Sequence, residues 1–172
     1  MDTTDLHSDL RIALRRLAKA VVIVTCRFEG NRFAMAATAV SELSMDPPSM
    51  LVCVNQSASI YLPMLATDQF AINILHRSQR HISECCSGPI KSEARFGVGH
   101  WCEENPDCPP ILVDAQANII CRKQQHVQFG SHGVFFGAVT AATTHGEVAP
   151  LIYVDGCYTC DPVMAPESNP KL

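Results

Sequence analysis

Two consecutive prolines, Pro47 and Pro48, interrupt an otherwise strand-like stretch that runs from Ala34 to Asn55. They fix φ and remove two backbone donors, so the chain must leave any regular ladder there. Before them lie Ala34, Ala36, Ala37, Thr38 and Ala39, and after them comes the apolar run Met50-Leu51-Val52-Cys53-Val54. The stretch reads as a strand, a tight connection at Asp46-Pro47-Pro48 and a second strand. The first arm is unusually thin, because its small side chains leave little bulk on either face of the backbone. Such a wall either packs under a helix or lets something flat lie on the main chain, and a short apolar run does not decide between the two.

A chain of 172 residues suits one domain spanning 1–172, with a core over about 10–160 and a flexible tail over 161–172. The hydrophobic share of 47% is that of an ordinary soluble globular protein. A net charge of −4 and the absence of a basic stripe argue against a nucleic-acid surface. No apolar run approaches the roughly 18–20 residues needed to span a bilayer. The acidic, polar stretch Met1 to Asp9 resembles neither a signal nor a transit peptide, so a cytoplasmic protein is the default. The nine cysteines read mostly as reduced, buried small hydrophobes, with Cys26, Cys53 and Cys121 inside apolar strand-like runs. Cys157-Tyr158-Thr159-Cys160 is one C-x-x-C without a second, so a metal or redox role there is the minor reading and no metal ligands are assigned.

Leu10, Leu14, Leu17 and Val21 have helical spacing and predict an amphipathic helix over Leu10 to Ala20, with Ser8 as N-cap and Arg11, Arg15, Arg16 and Lys19 as a solvated face. Val21 to Cys26 is a β-branched run too continuous for a half-exposed strand. Glu29-Gly30-Asn31 signals a hairpin. Ser57 or Ser59 is placed to cap a short helix from Ile60 to about Ala66, whose first turn offers free amides. Phe70 to Leu75 is a strand, and Ser78 is placed to cap a helix over Gln79 to Cys86. Gly88 to Asn105 is rich in loops, where His100 and Trp101 either pack the loop or line a ligand. Gln124 to Gln128 is polar and reads as an edge. The final strand is Pro150 to Val154.

These motifs together resemble the flavin reductase-like family, the small flavin:NAD(P)H reductases that serve two-component monooxygenases, over about Leu10 to Tyr158. The family's Gly-Met-Thr-Ala-Ser reads here Ala34-Met35-Ala36-Ala37-Thr38, and its Ser-x-Asp-Pro-Pro reads Ser44-Met45-Asp46-Pro47-Pro48. Its Phe-x-Val-Asn-x-Leu corresponds to Phe70, Asn73 and Leu75. Arg95-Phe96 with Trp101 resembles a basic-aromatic pair of the family. Gly130, His132, Gly137 and Val139 match its Gly-Asp-His strand, with Ser131 in place of Asp. Ala34 replaces a usual glycine, Ala36 lacks a usual hydroxyl, and Cys85-Cys86 stands where a basic-aromatic pair is common.

The resemblance implies a mainly β protein with short helices: an FMN-binding split barrel with Greek-key connectivity, usually a homodimer. It implies FMN, or FAD, held by Arg32, Phe33, Ala34, Met35, Ala36, Ala37, Thr38 and Ala39; by Cys53, Val54, Asn55, Ser57, Ser59 and Ile60; and by Cys85, Cys86, Arg95, Phe96, Tyr153 and Tyr158. His132, the catalytic candidate, is expected near the nicotinamide of NADH or NADPH; the bland reading is a histidine hydrogen-bonded at a strand start. No Gly-x-Gly-x-x-Gly is present, so a Rossmann fold is not expected. The implied function is an NAD(P)H-dependent flavin reductase that passes reduced flavin to a separate monooxygenase. The alternative is a barrel that holds FMN tightly as carrier or sensor without turnover, and a cysteine-rich zinc or redox protein on the same barrel is a third.

Overall fold

A computed structural model describes residues 3–90, 92–102, 105 and 108–159. The expected tail and Cys160 lie outside the described residues, as do Pro106 and Asp107 of the proline-rich turn. Helix α1 spans Thr3–Leu14, not Leu10 to Ala20, so Ser8 is inside it rather than at its cap. The leucine period continues past Leu14, but the amides of Arg16 and Leu17 bond back three residues, to Ala13 and Leu14, and tighten the end. Lys19–Ala20 then forms strand β1, drawn out of the helical pattern by pairing with the last strands. The leucines of α1 are about half exposed rather than buried.

The remaining strands are β2 (Val22–Phe28), β3 (Asn31–Ala37), β4 (Val40–Met45), β5 (Pro48–Asn55), β6 (Gln69–Ile74), β7 (Trp101–Cys102), β8 (Ile111–Leu112), β9 (Ala117–Phe129), β10 (His132–Thr144), β11 (Ile152–Val154) and β12 (Cys157–Thr159). Short helices α2 (Tyr61–Ala66) and α3 (Arg80–Ser87) and 3₁₀ turns at Arg77–Gln79 and Ser92–Gly97 complete the list. The thin stretch holds three strands where the sequence suggested two. Asp46-Pro47 is a cis peptide at the β4–β5 turn, and Pro48 already opens β5 opposite Met45.

Seven strands form one antiparallel sheet in the order β3-β2-β6-β9-β10-β5-β4. Its outermost strands, β3 and β4, are consecutive in the chain and joined only by Thr38 and Ala39. A two-residue link cannot cross a flat seven-stranded sheet, so the sheet must curl until its edges meet. The result is a barrel with a seam at Thr38–Ala39, where the Cys53 amide donates to the Ala39 carbonyl at 2.9 Å.

The barrel interior is filled by Val22, Val24, Cys26, Val52, Val54, Ile60, Met64, Phe70, Ile72 and Phe135. Outside it, α3 and the loops cover Ile23, Ala34, Leu75, Ile82, Cys86, Phe96, Trp101 and Leu112. Strand β2 is therefore buried on both faces, which is why its apolar run does not alternate. Gly137 makes room for Phe70: a Cβ there would sit 2.6 Å from the Phe70 ring and 2.7 Å from Cys121. Gln124 to Gln128 is an open edge on one side only. That half of β9 pairs with β10, while β6 covers just Ala117 to Arg122.

Candidate functional site

Three clefts join end to end along the outside of β3. The first, about 390 Å³, is lined by Met35, Ala36, Ser57, Ala58, Ser59, Cys86, Ser87 and Arg95. The second, about 280 Å³, shares Ala36 and Ser87 with it and adds Val21, Ala37, Thr38, Ser83, Tyr153 and Tyr158. The third, about 430 Å³, shares Thr38 and Tyr153 and runs under α1. On the other side of the seam, Thr38, Ala39 and Cys53 line a further, largely apolar cavity of about 620 Å³. The small-residue strand thus forms the floor of a continuous groove, because bulkier side chains at Ala36 to Thr38 would fill it.

At the first end, the turn after β5 is built by Asn55. Its Oδ1 accepts from the Ser57 amide at 2.9 Å and the Ser57 hydroxyl at 2.8 Å. Neither Ser57 nor Ser59 caps α2; the N-cap is Ile60, with no side-chain hydrogen bond. The Asx turn captures Ser57 locally, before its hydroxyl could reach the helix amides. Arg95 is the cation of this cleft, 9% exposed. Its guanidinium donates to backbone carbonyls: Nε to Ile90 at 2.7 Å, Nη2 to Gly88 at 3.4 Å and Nη1 to Ala34. No carboxylate neutralises it there among the described residues, so its positive charge shares the cleft with the two serines.

In the middle cleft, Tyr158 and Tyr153 meet edge to face with centroids 5.2 Å apart. The Tyr158 hydroxyl and Ser83 Oγ are hydrogen-bonded at 2.9 Å, and the Arg80 guanidinium lies over the Tyr158 ring at 5.2 Å. Ser83 and Ser87 escaped the sequence reading. Their signal is an i, i+4 pair on the face of α3 turned toward the floor. Helix α3 is preceded by a capping box made by His76 and Gln79, not by Ser78: His76 Nδ1 accepts from the Ser78 amide at 3.2 Å.

Several expected site residues are elsewhere. Ala34 is 2% exposed and belongs to the outer core, and Val54 and Ile60 are fully buried in the barrel. Phe33 packs against the barrel interior. The Arg32 guanidinium is engaged by Glu93 and lies 4.4 Å over the Phe96 ring. Phe96 stacks edge to face on Trp101 at 4.9 Å, and Trp101 Nε1 donates to Val98, so this pair packs the loop. Cys85 is buried with its thiol 3.8 Å from the Arg95 carbonyl. Burial, reinforced by Cys85, pushes the Cys86 thiol up to about 12, and Cys26 rises likewise to about 12 through burial. Both are neutral thiols at physiological pH, not nucleophiles. Cys157 is exposed. Among the described residues no three His, Cys, Asp or Glu side chains are grouped as a metal site.

His132 stands outside the three clefts. It begins β10, opposite Asn55 on one side and Phe129 on the other, is exposed, and shares a 2.9 Å hydrogen bond between its Nδ1 and the Ser131 hydroxyl. It is therefore at the Asn55 end of the groove, one strand from the serine turn.

The flavin reductase like domain matches residues 14–159. The chain belongs to the flavin reductase-like family. It is 32% identical over 152 residues to the reductase component of an FADH(2)-dependent resorcinol hydroxylase from a Rhizobium species, covering 87% of this chain and 84% of that one. It is 34% identical over 151 residues to the FMN reductase (NADH) RutF of Variovorax paradoxus, covering 88% and 83%. An NADH:FAD oxidoreductase from Streptomyces globisporus superposes with a TM-score of 0.85 over 98% of both chains at 22% identity, a likeness of fold. The architecture is the mainly β split barrel expected for the family.

Proposed function

We propose that the chain is an NAD(P)H-dependent flavin reductase that transfers a hydride to FMN or FAD and supplies reduced flavin to a separate monooxygenase. The observation that carries this is the groove over Ala36, Ala37 and Thr38: a flat floor with serine hydroxyls and a buried arginine at one end. A flavin bound there would supply the hydride-accepting ring, while the protein positions, shields and grips it. Ser57, Ser59 and Arg95 hold the phosphate. Thr38 and the amides beside it face the ring edge, and Tyr153 and Tyr158 wall the middle cleft. His132 stands where it can orient a nicotinamide approaching from the Asn55 end. Val54 and Ile60 pack inside the barrel, while Ala34 and Phe96 belong to the outer core beside the floor and Cys85 is buried on α3.

The whole of 1–172 acts as one domain, and the protein works in the cytoplasm. A homodimer accounts for apolar residues that the single chain leaves exposed on its edge strand, Leu43 at 48% and Met45 at 82%. No helix among the described residues is long and apolar enough to cross a membrane.

The test follows absorbance at the NADH band with and without added FMN or FAD. Oxidation that depends on flavin and saturates with it is the expected result. A protein that stays yellow through gel filtration and leaves NADH untouched would replace the reductase by a flavin carrier.

A further inference from the structure

Where a helix begins, the side chain that accepts from the first free amides is ordinarily serine, threonine, aspartate or asparagine. At the 3₁₀ turn that leads into α3 it is a histidine. His76 Nδ1 accepts from the Ser78 amide at 3.2 Å, and the same nitrogen shares a 2.7 Å hydrogen bond with the Ser78 hydroxyl. In return Gln79 Oε1 accepts from the His76 amide at 2.8 Å, which closes the capping box. Gln79 is buried, and its Nε2 donates to the Asp114 carbonyl at 2.9 Å. The box therefore also docks the start of the helix on the turn between β8 and β9.

An imidazole accepts from an amide only through an unprotonated nitrogen. With a proton on Nδ1 the ring is a donor on both sides. The Ser78 hydroxyl can rotate to accept from it, but the Ser78 amide cannot. A serine or asparagine cap has no such dependence. The surroundings of the ring supply a second state. His76 is half-buried and lines a cavity of about 390 Å³ together with Asp114, Gln116, His145 and Glu147. Asp114 and Glu147 give an imidazolium two carboxylates to pair with. His145 is a second imidazole there and competes for them. On its own segment His76 is followed by Arg77, which is exposed, while Arg80 is turned away to Glu84 and the Tyr158 ring.

The cap matters because of what α3 carries. Ser83 and Ser87 line the middle cleft, Cys86 and Ser87 line the first, and the Ser83 hydroxyl holds Tyr158. With eight residues, α3 is too short to order itself without its ends and its packing. Resting on the reading of the groove as the flavin site, we infer that His76 is a positioning residue that makes the groove wall proton-sensitive. Unprotonated, it caps the entrance to α3 and holds Ser83, Cys86 and Ser87 against the floor. Protonated, it releases the Ser78 amide and turns to Asp114 and Glu147. Flavin binding thereby weakens as pH falls through the range in which imidazoles gain charge.

The experiment compares the full-length protein with His76→Asn, which keeps a cap acceptor at every pH, and His76→Ala, which has none. Two quantities are read from about pH 8 to about pH 5.5. One is the protection of the α3 amides against hydrogen exchange, without ligand. The other is the Kd for FMN, from flavin fluorescence. Loss of a cap shifts a helix equilibrium by about fivefold, so wild-type protection should fall by about that factor relative to His76→Asn. The Kd for FMN should rise relative to the same variant by at least about twofold. Titration of the FMN phosphate and of the other histidines is common to both proteins and drops out of the comparison. At the alkaline end His76→Asn should match wild type, and His76→Ala should already show the weak protection of acidified wild type. Parallel profiles for wild type and His76→Asn, or full protection in His76→Ala, overturn the switch. Protection that follows pH while the two FMN profiles stay parallel overturns its link to the groove. A wild-type protein that binds no FMN overturns the flavin reading instead, and the protection profiles, which need no ligand, still decide the cap.

Discussion

Two asparagines, Asn73 and Asn55, each end a strand motif, and the molecule uses them in opposite ways. Asn73 is fully buried. Its Nδ2 donates to the Ile23 carbonyl at 3.0 Å, and its Oδ1 accepts from the Leu112 amide at 2.9 Å and from Asn118 Nδ2 at 2.8 Å. Nearby, the Thr25 hydroxyl donates to the Pro110 carbonyl at 2.6 Å. This knot ties β2, β6, β8 and β9 together through partners far apart in sequence. Asn55 closes only its own turn, two residues long, and stays half-buried. Where every polar group is satisfied by distant partners, the residue holds the fold. Where the partners are local and solvent remains close, its neighbours are left to meet a ligand.

The largest break in that comparison is Asn73→Ala. It leaves the Leu112 amide and the Asn118 side chain short of a partner in a dry interior. Each orphaned group costs about 1–3 kcal/mol, so a total loss of about 2–4 kcal/mol is expected. For a chain of this size that lowers Tm by roughly 5–15 °C. Denaturant titration checks it, and a loss below about 1 kcal/mol would show that water or a shifted Asn118 can replace the amide.

Ser57→Ala probes the other asparagine. The Ser57 amide still bonds Asn55, so the turn survives and Tm should move by no more than about 2 °C. The flavin Kd should rise by more than about tenfold if the hydroxyl meets phosphate. A changed Tm with unchanged Kd would reverse the assignment and make the serine turn structural.

What the sequence disclosed follows the same division. Strand β2 was legible because a run buried on both faces does not alternate. The Glu29-Gly30 hairpin was legible because both residues take positive φ, at 50° and 75°, as the pattern demanded. Asn73 could be matched to a motif, but its knot could not be seen, since Ile23 and Leu112 are 50 and 39 residues away. The end of α1 was misread because pairing of Lys19 with Tyr153 outweighs helical periodicity, a tertiary effect with no local mark. Ser57 and Ser78 do not make the caps expected of them, because the Asn55 turn ends at Ile60, which takes the N-cap position, and His76 accepts from the Ser78 amide in the place of a serine cap.

Between knot and turn lies the contact of Arg32 with Glu93: long-range like the first, exposed like the second. Arg32 Nε donates to Glu93 Oε2 at 2.8 Å, and its backbone amide to Oε1 at 2.9 Å. The hydrogen bonds from Arg32 hold the Glu93 carboxyl below its usual value near 4.5. A depressed carboxyl stabilises the fold above its unfolded value and loses that contribution as pH falls from there through the folded value. The Glu93 side chain is 49% exposed, so solvent screening limits the pair to at most about 1 kcal/mol. Wild type should therefore exceed Glu93→Gln slightly in Tm at pH 7, and the gap should close only below about pH 4.5. Added salt should narrow the gap at pH 7 as well. A gap that persists to pH 3 would mean that Glu93 acts by packing the 3₁₀ turn onto β3 rather than by charge, which would place it with the knot instead of between the two.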